Sequence, residues 1–272
     1  MPRASASDGV GLHWEERGAG PTVLLVSHWT LHPMLWGPLI AELENDHRVV
    51  RYDDRGTGES DRVGPYDLGT GAADLEAVAE AAGGGPAVAV GLMDGTNKAA
   101  RVAARRPDLI SHVVGAGGAP IGRRVLSASD AMIGSNTVVG AFMQQLETDY
   151  RSAIRGIVES ANPQMPQDEV RARVAGQVAH VPLEAAAARV SEWADDEASE
   201  GPGRELGDRL VVLLSTHITA GWWPGPEIME PILHRHFPEA VVRRVENGII
   251  SRPDLTAAEI RACATANVES PL

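Results

Sequence analysis

Three short stretches of this 272-residue chain are apolar at nearly every position: residues 22–27 (TVLLVS), 87–91 (AVAVG) and 210–215 (LVVLLS). A strand with one solvated face alternates apolar and polar side chains. A run without alternation needs cover on both faces, as strands of a parallel sheet have. Residues 48–52, 112–116 and 240–245 are further strands by the same reasoning. Helical periodicity falls between them, at 35–43, 72–82, 95–106, 226–237 and 256–266. Strand alternating with helix predicts an α/β fold, a doubly wound and mostly parallel sheet whose ligands bind beyond the carboxyl ends of its strands.

One segment breaks the alternation. From about residue 125 to 200 only helical patterns occur, at 142–158, 166–178 and 183–195, with Pro163 and Pro182 between them. A loop rich in Gly and Glu follows at 198–206. The expectation is a helical cap of residues 123–204 inserted into a core formed by 1–122 and 205–272.

A formal charge of −13 argues against nucleic acid and anionic membrane surfaces as partners, since both select basic patches. Lys98 is the sole lysine and reads as a solvated residue of the helix at 95–106. Cys263 is the sole cysteine, so no internal disulfide forms. The first residues carry no apolar stretch behind them, and no run approaches the roughly 18 apolar residues of a membrane span. The expected setting is the cytoplasm, as a monomer or homodimer with no cofactor and no metal.

The segment AVAVGLMDGTNKAARVAARRP, residues 87–107, has the shape of a strand, a tight turn and a helix. Gly91 and Gly95 flank a central position, as a turn with no room for Cβ atoms requires, and that position is Met93. An apex at Asp94 would instead put Leu92 and Thr96 in the small slots. A second segment, Arg51-Tyr52-Asp53-Asp54-Arg55-Gly56-Thr57-Gly58-Glu59-Ser60, has the pattern Tyr-Asp-x-Arg-Gly-x-Gly-x-Ser. With the strand at 23–26 and the loop leading to Trp36, these features cover nearly the whole chain. It resembles the α/β-hydrolase fold family in its cap-containing form.

That resemblance implies a nucleophile at the apex, an acid after a late strand and a histidine near the C-terminus, with two backbone N–H groups for the oxyanion. Here the apex is Met93, whose thioether forms no acyl-enzyme that turns over. The acid slot falls on Ile218 or His217, and the histidine slot on Ile250 or Ile249. No histidine follows His236. In the oxyanion loop the family's His-Gly pair is replaced by Ser27-His28, and the N–H donor would be Trp29.

The candidate catalytic residues are therefore His28, Asp94 and His217, each just past a strand end and able to move protons. The plainer reading of Asp94 is a cap for the helix that follows. Met93, Trp29, Ile218, Ile250 and Trp222 are candidates for binding substrate. Asp53 and Asp54 read as structural supports of the Arg55-Gly56 turn. His234 and His236, two apart on a helix, face different sides and do not share a metal. Gly115-Ala116-Gly117-Gly118 lacks the spacing of a dinucleotide site and reads as a tight connection.

Three apolar triad slots lead to the expectation of a non-hydrolytic enzyme, of cyclase, isomerase or lyase type, acting on a hydrophobic small molecule by shape and proton transfer. Two alternatives stay open: a non-catalytic binder of a hydrophobic ligand, and an atypical hydrolase that uses Asp94.

Overall fold

The computed structural model describes residues 2–26, 28, 33–122, 133–161, 164–216, 225–245 and 252–269. Its centre is an eight-stranded sheet in the order β1-β2-β4-β3-β5-β6-β7-β8. The strands are β1 (Arg3–Ser5), β2 (Gly11–Arg17), β3 (Thr22–Val26), β4 (Arg48–Tyr52), β5 (Ala87–Gly91), β6 (Ile110–Ala116), β7 (Leu210–Ser215) and β8 (Val241–Val245). From β4 to β8 every pairing is parallel, whereas β1–β2 and β2–β4 are antiparallel. The six strands read from the sequence are all present; β1 and β2 extend the sheet beyond them.

Successive strand residues point to opposite faces, and both faces are covered. Leu24, Val26 and Ala89 face one layer, built on α2 (Leu68–Ala82) and α3 (Asp94–Arg105). Val23, Leu25, Val88 and Val90 face the other, built on α1 (Gly37–Leu43) and the α-helix Pro253–Glu269. This is why the apolar runs do not alternate. Each fully buried Val or Leu contributes roughly 1.5–3 kcal/mol relative to exposure. The face of α3 that meets the sheet is Ala99, Val102 and Ala103, all fully buried, so the helix lies close to β5 and β6.

Among the described residues, five α-helices fall between β6 and β7: α4 (Ile133–Thr148), α5 (Tyr150–Ala161), α6 (Gln167–His180), α7 (Leu183–Ala194) and α8 (Glu200–Glu205). Two differ from the sequence reading. The pattern at 142–158 is split between α4 and α5, because Asp149 accepts from the Ser152 N–H at 3.0 Å and starts a new helix. The supposed loop at 198–206 contains α8. The insertion has its own apolar cluster, including Phe142, Leu146, Ala186, Val190 and Trp193. The chain then continues through β7, α9 (Pro226–His236), β8 and α10 (Pro253–Glu269).

Candidate active site

β5 ends at Gly91 and α3 begins at Asp94, leaving two residues to reverse the chain. Met93 adopts φ 43°, ψ −116°, the one positive φ of a residue other than glycine among the described residues. Such a conformation costs on the order of 1–3 kcal/mol and persists only where the surroundings impose it. They do so here. A Cβ on Gly91 would lie 2.4 Å from the Thr96 nitrogen, and one on Gly118 would lie 3.1 Å from the Met93 Cα. Gly115–Gly118 is thus a tight connection, as expected, and it also backs the elbow. The turn is closed by N–H bonds from Gly95 to the Leu92 carbonyl, 2.7 Å, and from Thr96 to the Met93 carbonyl, 2.9 Å. The Met93 side chain is half-buried and packs against the insertion's apolar cluster.

Beneath the elbow lies a buried ion cluster that the sequence did not suggest. Lys98, read as solvated, is 2% exposed. One turn into α3, its Nζ donates to both carboxylate oxygens of Asp54, at 3.0 and 2.9 Å, and stands 3.5 Å from Asp94 Oδ2. Arg189 of α7 comes within 3.6 Å of the same Asp54 carboxylate and also donates to the Arg55 carbonyl. Burial pushes the Asp54 carboxyl upward, but the charges of Lys98 and Arg189 outweigh it and hold the group below the ordinary carboxylate range. Arg55 in turn forks onto Asp74, with bonds of 2.6 and 2.8 Å. The Asp-Arg-Gly loop is therefore structural, as expected, and it ties the elbow helix to the insertion.

Asp94 is wholly buried, with its Oδ2 toward Lys98. His28, just past β3, is 7% exposed. Burial holds its imidazole down at about 3, helped by the charge of Lys98 and opposed by that of Asp54. At neutral pH the ring is uncharged. His28, Asp54, Arg189 and His180 border a cavity of about 10 Å³, room for a single water molecule at most.

A second clamp was also missed. Asp196, which follows α7, accepts from Asn97 Nδ2 at 2.5 Å and from Arg101 NH2 at 2.7 Å, both on α3. Its carbonyl accepts from the Gly122 N–H at 2.6 Å. Both clamps join residues far apart in the chain, 44 positions for Lys98 and Asp54 and 99 for Asn97 and Asp196, which no local pattern signals.

His217, Trp29, Ile218, Ile249, Ile250 and Trp222 lie outside the described residues, so Met93 is the one proposed substrate contact that the structure places. His234 and His236 have separate partners: Glu230 lies 3.9 Å from one, and Glu200 lies 3.0 Å from the other. No helix among the described residues is long and apolar enough to cross a membrane.

No protein-family model matches the chain. It is similar to a 2-(acetamidomethylene)succinate hydrolase of Mesorhizobium japonicum, 27% identical over 166 residues that span 60% of this chain and 57% of that one. It is also similar to a pimeloyl-[acyl-carrier protein] methyl ester esterase of Vibrio atlanticus, 29% identical over 146 residues, 53% and 54% of the two chains. The matched stretches thus cover little more than half of these relatives. Among solved structures, an esterase from Exiguobacterium antarcticum superposes with a TM-score of 0.77 at 16% identity, covering 97% of this chain and 98% of that one. These relatives are enzymes, and they are hydrolases and esterases. They overturn the expectation of a non-hydrolytic cyclase, isomerase or lyase, and equally that of a non-catalytic binder. Sheet order, strand–turn–helix elbow and superposition together show that the chain has the α/β-hydrolase fold.

Proposed function

We propose that the chain hydrolyses a carbonyl substrate, an ester or amide, by direct attack of water and without a covalent acyl-enzyme. One observation carries this reading: the strained backbone of the elbow is kept although its apex is Met93. The conformation normally presents a nucleophile, and a thioether is none. What the retained geometry still delivers is the Asp94 N–H at the start of α3, the positive end of its dipole, where the Gly95 and Thr96 N–H groups close the turn. Such donors stabilise the oxyanion formed when water attacks a carbonyl. His28, just past β3 and held uncharged by burial, is the further donor in this reading. Asp94 supplies backbone in this scheme, and its carboxylate stands 3.5 Å from the Lys98 ammonium. The hydrolases and esterases among the relatives support this reaction class.

An oxyanion-binding corner acting alone accelerates acyl transfer by roughly 10³–10⁴ over water. The expected result is turnover of activated aryl esters in that range, nearly constant from pH 5 to 8 because no group titrating near 7 takes part. In ¹⁸O-labelled water the released acid carries the label from the first turnover and the protein carries none. Label in the protein would point to a carboxylate nucleophile such as Asp94, and an acceleration below tenfold would remove the proposal altogether.

A further inference from the structure

On the opposite side of the Asp53 loop from the elbow, a cleft of about 470 Å³ opens between α1 and the β2–β4 pair. That volume is within the range of small-molecule sites, roughly 300–1,000 Å³. Its apolar wall is Ile40 and Ala41 of α1 with Val49 of β4. Its floor is a row in which two carboxylates alternate with Arg51 and two histidines. His13 Nε2 stands 3.3 Å from Glu15, Glu15 accepts from Arg51 at 2.7 Å, Arg51 lies 3.9 Å from Asp53, and His180 lies 3.5 Å from Asp53.

The two ends of this floor differ. Arg17 and Glu44 stand at one end and offset each other. About 13 Å along β2, at four residues' rise, Asp53 and Glu59 stand at the other. The Asp53 N–H bond to the His13 carbonyl fixes that register. Glu15 is matched by Arg51, so the Asp53 end holds the cleft's excess negative charge. Asp53 is itself 5% exposed. Its Oδ2 accepts from the Glu59 N–H at 3.0 Å, while its Oδ1 accepts no hydrogen bond among the described residues. A buried carboxylate oxygen without a donor is costly, and a ligand N–H is the group that completes it.

We infer that this cleft is a second binding site, for a small aliphatic primary amine. The ammonium bonds to Asp53 Oδ1 beside Glu59, and the alkyl chain lies on Ile40, Ala41 and Val49. His180, at the end of α6, is the neighbour that shifts to admit it.

The test is titration with n-butylammonium, followed by calorimetry and by amide chemical shifts. Saturable binding is expected, with 1-butanol, which lacks the charge, failing to saturate. Asp53→Asn keeps an acceptor for the Glu59 N–H and removes the charge; Ile40→Arg fills the apolar wall with bulk and a cation. Each is expected to weaken binding at least about tenfold. If Asp53→Asn does not fold, Ile40→Arg decides alone, because Ile40 is half-buried on α1 and outside the ion row. No saturation at up to about 20 mM, equal binding of 1-butanol, or unchanged affinity in a folded variant would each overturn the assignment.

Discussion

The sheet and the seam beside it are both buried, and they are held together by opposite means. Leu24, Leu25, Val88 and Ala89 pack in apolar clusters with the helices on either face. Where α3 meets the Asp53–Ser60 loop and α7, the buried side chains are Lys98, Asp54, Asp94, Arg189, Arg55 and Asp74. In the sheet, free energy follows apolar area and no single partner is required. In the seam it follows pairing, and loss of one member leaves another charge buried without compensation. Lys98→Met should therefore cost about 3–5 kcal/mol in urea unfolding, although it replaces a lysine by an apolar residue of similar length. Leu75→Ala, in the apolar layer, should cost about 2–5 kcal/mol and by the same amount at pH 5 and pH 8. A Lys98→Met protein as stable as the parent would abolish the distinction between the two regions.

The same distinction explains what could be read from the sequence. Continuous apolar runs reveal strands because burial on two faces leaves a local trace, and six strands with their flanking helices were legible that way. Gly91 and Gly95 exposed the elbow, because a backbone reversal needs small residues at set positions. β1 and β2 were not legible: GLHWEER is only half apolar, and its pairing with β4 is antiparallel at the sheet's margin. Lys98 was misread for a physical reason. On a helix wheel it looks solvated, and its partner Asp54 is 44 residues away. Asp196 and Arg189 reach α3 and the Asp loop from the insertion in the same way. The candidate site was thus legible as a backbone shape at Met93 and opaque as a set of charges.

A smaller effect isolates that backbone shape. At Met93, Ala retains the penalty of positive φ whereas Gly does not, and both lose the contacts of the thioether with the insertion's cluster. Strain of about 1–3 kcal/mol, less the roughly 0.5–1 kcal/mol of extra freedom Gly has when unfolded, leaves Met93→Gly more stable than Met93→Ala by up to about 2.5 kcal/mol. Paired thermal melts at one protein concentration give this difference directly. An alanine variant equal to or more stable than the glycine variant would mean that the elbow is not strained. The case for the backbone as its functional product would then fall.

The smallest of these effects concerns His28, which borders the seam's charges yet is desolvated like a core residue. Its folded-state proton affinity, near 3, is depressed below the unfolded value of 6.5. Between those limits the unfolded chain binds a proton that the native chain refuses, so stability rises with pH and is lost as pH falls below about 6.5. One unit below that point, at pH 5.5, the loss from this group is about 1.4 kcal/mol, and it grows by a similar amount per further unit until the folded imidazole titrates. His28→Gln keeps a neutral polar side chain and removes the titration. The difference in unfolding free energy between parent and variant should therefore narrow by about 1.4 kcal/mol from pH 7.5 to pH 5.5. Asp54 does not mimic this, because it is held below its ordinary range, and Asp74, whose carboxyl burial pushes up, is present in both proteins and cancels in their difference. A parallel pH dependence of the two proteins would show that His28 is hydrated.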